Sequence, residues 1–250
     1  PGAQGALVER LRALGKPLVL VLLAGRPLTF ERELELADAV LYAWHGGSMA
    51  GAAIADVLFG DEAPSGKLPI TFPRTVGQVP IYYNHKNTGR PPKRGGKGIP
   101  RGTPLDPVDM DASYLDVEVT PQFPFGFGLS YTRFSYADVR VSSARIPLSG
   151  SLVVSASVSN VGPRPGAEVV QVYVRDRVGC VTRPVRELVG FRKIHLAAGA
   201  AQRVSFELRA ADLAFCGLDL SVRPEPGMFD VYVGGDSTAS ASAEFELYAE

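Results

Sequence analysis

The sequence predicts an α/β fold for the first half of the chain and an all-β fold for the second. In the first half, aliphatic runs bounded by Pro or Gly alternate with apolar residues at helical spacing. Beyond Arg133 the apolar period becomes two. Between the two halves lies a stretch with no period, rich in Pro, Gly, Lys and Arg. A buried parallel strand reads as an uninterrupted apolar run and a half-buried antiparallel strand alternates, so the change of pattern marks a change of architecture.

Leu7, Val8, Leu11 and Leu14 fall on one helical face, and Gly15 with Pro17 ends that helix. Leu18 to Leu23, held between Pro17 and Gly25, predicts a strand buried on both faces of a parallel sheet. Phe30 to Ala37 is short and acidic and predicts a crossover helix, and Ala39 to Trp44 repeats the strand pattern. The unit is strand, helix, strand, with the right-handed connection that parallel pairing requires. After Gly46 and Gly47, Ser48 is expected to cap a helix whose small face is Ala52, Ala53 and Ile54, with Val57 and Leu58 behind and Gly60 as terminator. Asp38 and Asp56 are expected on helices, in structural roles.

The stretch from Thr88 to about Pro107 predicts an exposed loop, part of a longer one over residues 84–120. Its local positive charge suits a solvated face or a contact with another surface. Leu152, Val154, Ala156 and Val158 then alternate with polar neighbours, as do Val204, Phe206 and Leu208. Similar runs at Ala167–Val174, Glu187–His195, Met228–Val233 and Ala243–Tyr248 bring the expected number of strands to about seven, which fits an immunoglobulin-like or fibronectin-like sandwich. The predicted division is residues 1–137 and 138–250.

Composition excludes several classes of partner. Lys plus Arg equals Asp plus Glu at 26 each, so no overall field draws nucleic acid or an anionic membrane. The longest apolar run, Pro17 to Ala24, is far below the roughly 20 residues of a membrane span. The chain opens on Pro1 without a charged and then apolar leader, so it reads as a segment of something longer or a processed product. Cys180 and Cys216 have no Cys or His at metal-ligand spacing, and both are expected as small core residues; neither a metal nor a cofactor is expected.

Two phosphate-loop lookalikes fail on spacing. Gly46 to Gly51 lacks G-x-G-x-x-G and is better explained by close packing of a helix on a sheet. Gly60 to Lys67 has five residues between its glycines where a Walker loop has four, and Leu68 stands where Ser or Thr would hold magnesium. No G-x-S-x-G elbow exists, and only His45, His85 and His195 offer a base. His195 falls in a sandwich strand and is expected to be structural. His45 follows Trp44 at a strand end, where α/β sheets gather ligand sites but where a merely packed aromatic pair is equally at home. Tyr83, His85, Lys86 and Asn87 lie in a run from Tyr82 to Pro91 whose donors and aromatics suit a sugar site or, equally, a surface turn.

Several long motifs in order carry a resemblance. Gly15 to Pro27, Ala43-Trp44, Ala53 to Asp61 and Pro64 to Arg74 resemble the second, α/β-sandwich domain of glycoside hydrolase family 3 β-glucosidases. Phe123 to Thr132 looks like the segment leaving that domain, while Arg183 to Phe191 and Glu225 to Gly234 are similar to the family's fibronectin type III-like domain. Val76 to Arg90 looks most like the bacterial periplasmic branch. The resemblance implies part of an α/β sandwich followed by a fibronectin type III-like sandwich. It also implies retaining hydrolysis of terminal β-D-glucosyl, or alternatively β-xylosyl, residues, and a periplasmic or secreted location. Retention needs a nucleophilic and an acid/base carboxyl about 5–5.5 Å apart. In the family the Asp nucleophile sits on an N-terminal barrel and the acid/base Glu precedes the stretch matching Pro1 to Gln4, so no residue here inherits either role. The expected catalytic set within this chain is empty, and His45, Tyr83, His85, Lys86 and Asn87 are candidate pocket-edge residues. The expected partners are β-linked glucosides, the barrel half of the same enzyme and, as a further candidate, a second copy of the chain. The rival is a non-catalytic sugar-binding or packing module. Tyr136, Tyr173, Tyr232 and Tyr248 are its candidate platform, although their dispersal over several strands favours packing.

Overall fold

The computed structural model describes residues 2–92, 102–104 and 112–249. The basic tract from Lys93 to Arg101, on which the expectation of a charged loop rests, lies outside them.

The first helix, α1 (Gln4–Arg12), carries Arg10 and Arg12 in its last turn, where the helix dipole favours positive charge. Strands β1 (Val19–Leu22) and β2 (Ala39–Tyr42) pair in parallel, Val19 opposite Ala39 and Leu22 opposite Tyr42, with α2 (Glu31–Leu36) as the crossover. Helix α3 (Ala50–Phe59) is rich in alanine and ends at Gly60, whose φ of 86° closes the last turn. All of these elements follow the sequence pattern, but three details differ. No residue of either strand is buried, because a two-stranded sheet is all edge and the chain covers it incompletely. Ser48 does not cap α3: the left-handed Gly47 leads through Met49, and no side chain caps the helix. Asp38 is not helical. It follows α2 and accepts hydrogen bonds from the Leu18 amide (2.8 Å) and from Arg12 (3.0 Å), which ties the start of β1 to α1. The Leu18 amide, helped by Arg12, holds its carboxyl below the ordinary value against a smaller opposing effect of burial. The buried aromatic residues of this portion among those described are Phe30 and Phe72, in a cluster with Tyr42, Trp44, Phe123 and Phe127.

The second half is a sandwich. Its strands are β3 (Phe134–Val141), β4 (Arg145–Pro147), β5 (Ser151–Asn160), β6 (Gly166–Asp176), β7 (Glu187–Leu196) and β8 (Ala201–Arg209), the two-residue β9 (Phe215–Cys216) and β10 (Val222–Arg223), then β11 (Gly227–Gly234) and β12 (Ala241–Tyr248). One sheet has the order β4-β12-β11-β6-β7, the other β3-β5-β8, and β9 pairs with β10 apart. The predicted alternation decides which faces meet: Leu152, Val154, Ala156 and Val158 of β5 oppose Val170, Val172, Val174, Val231 and Val233 in one continuous core. Sequence reading missed β3, β4, β9 and β10, the last three being too short to show a period. It also misplaced the cysteines. Both are exposed: Cys180 lies on the loop after β6, and in β9 Phe215 takes the inward position and turns Cys216 out.

The platform tyrosines are packed. Tyr173 is fully buried, Tyr136 donates to Glu168 (2.8 Å), Tyr232 lies under the Arg186 guanidinium and Tyr248 under that of Arg145. Burial, reinforced by the Glu168 charge, pushes the Tyr136 phenol far above its ordinary value.

The two halves meet along a seam built by residues 64–72 and 123–128. Phe72 pairs with Phe123, the Leu68 amide donates to the Phe127 carbonyl, and Gln171 of β6 donates to the Gly126 carbonyl. Lys67, the lysine of the apparent Walker loop, is committed here. Its Nζ meets Glu168 Oε1 at 3.0 Å and the Gly128 carbonyl at 3.2 Å. Gly128 crosses the chain so closely that an added Cβ would lie 2.3 Å from the Gly66 carbonyl oxygen.

Candidate functional site

The candidate residues occupy two places. The first is the carboxyl edge of the β1–β2 pair. There the chain leaves β2 through Ala43 and Trp44 into His45, and leaves β1 through Leu23 and Ala24 into Gly25 and Arg26. His45 is exposed, and its ring lies across Gly25: a Cβ on that glycine would sit 2.6 Å from the imidazole Nε2. Tyr42 donates its hydroxyl to the Arg26 carbonyl (2.5 Å), so the two strand ends are tied together. Burial raises the Tyr42 phenol, with the Arg26 charge opposing. Gly46 is required by packing, since a Cβ there would meet the Ala50 Cβ at 2.7 Å. That contact is a local one between the loop and the first residue of α3, whereas Gly47 and Gly51 have no close neighbour, so the expected packing of a helix on the sheet is not what these glycines serve.

The second place is the segment from Tyr82 to Asn87, which is laid against the sandwich. Tyr83 stacks on Phe125 with 4.4 Å between ring centroids, meets Tyr173 edge to face, and accepts the Leu188 amide at its hydroxyl (3.2 Å). The His85 carbonyl accepts the Val185 amide (2.9 Å), and Lys86 bridges to Pro184. His85, Lys86 and Asn87 are exposed. Asn87 stands at the rim of a groove of about 430 Å³ whose other walls are Arg175 to Pro184. Tyr83 is thus the anchor of the segment, and after the half-buried Asn84 the side chains of His85, Lys86 and Asn87 are turned outward.

Upstream of this segment, Arg74 and Gln78 form a support that sequence reading did not single out. Arg74 reaches Glu31 (3.1 Å), Glu118 (3.2 Å) and the Thr120 carbonyl (3.0 Å), while the buried Gln78 accepts the Arg74 amide and donates to the Glu118 carbonyl. The sequence signal was slight: an Arg and a Gln flanking a Val-Gly turn. No group of three or more His, Cys, Asp or Glu side chains placed to hold a metal ion occurs among the described residues. No described helix is long and apolar enough to cross a membrane.

Comparison with known proteins gives a consistent answer. Residues 1–131 match the glycosyl hydrolase family 3 C-terminal domain, and residues 168–237 match a fibronectin type III-like domain. The chain is similar to a periplasmic β-glucosidase of Salmonella typhimurium (45% identity, 99% of this chain, 31% of the relative). It is also similar to a β-xylosidase of Formosa agariphila (42% identity, 95% and 31%). The crystal structure of a β-glucosidase from Listeria innocua superposes with a TM-score of 0.89 at 38% identity, covering 100% of this chain and 33% of that one. A β-glucosidase from Erythrobacter marinus gives a TM-score of 0.87 at 40% identity, with 99% and 30% covered. The chain spans about a third of the length of the curated relatives it matches. A partial α/β sandwich joined to a fibronectin type III-like sandwich, matching these proteins over nearly its whole length, makes this chain a member of glycoside hydrolase family 3.

Proposed function

We propose that this chain is the C-terminal part of a retaining β-glycosidase that releases terminal non-reducing β-D-glucosyl residues, with β-xylosyl residues as the alternative. The observation that carries the reading is the whole-length match: all of this chain corresponds to one third of a β-glucosidase. The uncovered apolar surface of the first half supports it. Leu7, Leu11 and Leu14 on and after α1, and Val19 and Leu23 at β1, are exposed, as expected of a face that meets another part of the same protein. On this reading the nucleophile and the acid/base carboxyl belong to an N-terminal barrel, and this chain supplies scaffold and one wall of the pocket. His45, His85, Lys86 and Asn87 are the proposed pocket-edge residues, with Tyr83 holding the last three in place. The name of the Salmonella relative supports a periplasmic or secreted location. The packed state of Tyr136, Tyr173, Tyr232 and Tyr248 argues against the sugar-binding-module alternative.

Proton NMR of p-nitrophenyl β-D-glucoside turnover by the full-length protein tests this. The β-anomer of glucose should form first, because double displacement retains configuration. No turnover of the glucoside or the corresponding xyloside, or the α-anomer first, would overturn it.

A further inference from the structure

The segment from Tyr82 to Asn87 is laid against the start of β7, and that start is irregular. Val172 of β6 faces Gly190 while Tyr173 faces Leu188, so β7 carries an extra residue, Val189, at this point. Bulges of this kind gather beside functional sites, where they re-aim part of a strand. Here the Leu188 amide donates to the Tyr83 hydroxyl (3.2 Å), and three residues earlier the Val185 amide donates to the His85 carbonyl (2.9 Å). The backbone of the segment is therefore set by residues 185–188, and whatever fixes those residues also fixes where the exposed His85, Lys86 and Asn87 stand.

Arg186 lies between the two donors, and its side chain reaches away from the segment. Its guanidinium donates to the carbonyls of Ser237 (2.5 Å) and Ala239 (3.0 Å), in the turn between β11 and β12, and lies over the Tyr232 ring at 4.3 Å. A planar guanidinium can do both at once, because its donors are fixed in a fork while its face stacks on an aromatic ring. The turn is tied back to the segment: the Ser237 amide donates to the Phe125 carbonyl (2.9 Å), and the Phe125 ring stacks on Tyr83 at 4.4 Å. The contacts close into a circuit from Tyr83 through Phe125, Ser237, Arg186 and Val185 to His85. In such a circuit no member moves without straining two of its contacts, and Arg186 is the side chain that closes it on the sandwich side.

We propose that Arg186 is a positioning residue. Through Val185 and Leu188 it fixes the segment that carries the proposed pocket edge, so the fibronectin type III-like sandwich contributes to substrate binding without touching substrate. The proposal rests on the reading of the whole protein as a β-glycosidase and names the residue of the second half that sets this edge.

The test uses the full-length protein, with kinetics on p-nitrophenyl β-D-glucoside, or on the xyloside if only that is turned over, and hydrogen exchange at the Val185 amide. Arg186→Met keeps the stem and removes the donors. It should raise KM about tenfold, the size of one lost polar contact, with kcat within about twofold, because a contact at the pocket edge binds substrate and transition state alike. Protection of the Val185 amide should fall with it. Arg186→Lys should recover only part of both losses, since a point charge cannot span two carbonyls and lie flat on a ring. If Arg186→Met does not fold, Arg186→Lys carries the same comparison. Lys67→Met, at the seam, is the control: it lowers the melting temperature and should leave KM within about twofold. A KM that stays at the wild-type value when Arg186 is changed overturns the proposal and leaves the β-glycosidase reading standing. An equal rise in Lys67→Met also overturns it, because general loosening of the seam would then set KM. If wild type turns over neither glycoside, the β-glycosidase reading fails and the proposal fails with it.

Discussion

Replacing Lys67 with Met removes one half of an ion pair that is nearly out of water. The Lys67 side chain is 14% exposed and that of Glu168 6%, with 3.0 Å between Nζ and Oε1. The carboxylate would keep the hydrogen bond it accepts from the Tyr136 hydroxyl at 2.8 Å. It has little room to swing aside on the Gly235 side, where an added Cβ would lie only 2.9 Å from Glu168 Oε1. Methionine has a similar stem, so the cavity contribution is small and the cost is that of a buried charge left without its partner, about 3–5 kcal/mol. For a unit of this size that corresponds to a fall in melting temperature of roughly 6–20 °C, readable by scanning calorimetry. Changing Glu168 to Gln in the same molecule should recover most of the loss, since no unpaired charge then remains. A Lys67→Met variant that melts within about 1 °C of wild type would mean that water reaches the pair and that the seam between the two halves is not dry.

Tyr83→Phe should cost about 0.5–1.5 kcal/mol by removing the acceptor for the Leu188 amide, and Tyr83→Ala about 3–5 kcal/mol through the lost ring. In the alanine variant the Val185 amide should lose its hydrogen-exchange protection, because its acceptor is the His85 carbonyl; full retention would mean that Tyr83 is not the anchor. Asp38 gives a pH signature. Its carboxyl is depressed in the fold, mainly by the Leu18 amide, so its stabilising effect is present above the ordinary value of 3.8 and is lost as pH falls through the lower folded value. Asp38→Asn should therefore melt below wild type at neutral pH, with the gap closing on acidification, and a gap independent of pH would contradict this.

Much of the fold was legible because burial follows period. The alternation in β5 and β8 predicts which residues enter the sandwich core: Leu152, Val154, Ala156, Val158, Val204 and Leu208 are buried, while Phe206 is half-buried against the core. The β1–α2–β2 unit and the Gly60 terminus were equally readable. Periodicity reports how apolar a strand is and is silent on what covers it, so the expected two-sided burial of β1 does not occur. Cys180 and Cys216 were misread for the same reason: an apolar residue type on a loop or on the outward side of a two-residue strand has nothing above it. The site was legible only in part. The donors and aromatics of the run from Tyr82 led to Tyr83, His85, Lys86 and Asn87, and a strand-end position led to His45, but the pairing of Lys67 with Glu168 joins residues far apart in the chain, and nothing in Trp44 as a residue type announces a left-handed backbone. Tyr83 shows a further limit, since an aromatic that suits a sugar platform suits equally well the stack on Phe125 that it makes.

The division of labour between this chain and the rest of its proposed enzyme is tested most directly by assaying p-nitrophenyl β-D-glucoside hydrolysis with the chain alone and after co-expression with the upstream part of its gene. Turnover only in the pair is the expected result, because the proposed function assigns the catalytic carboxylates to the upstream part. Turnover by the chain alone would place those carboxylates within these 250 residues and contradict the assignment.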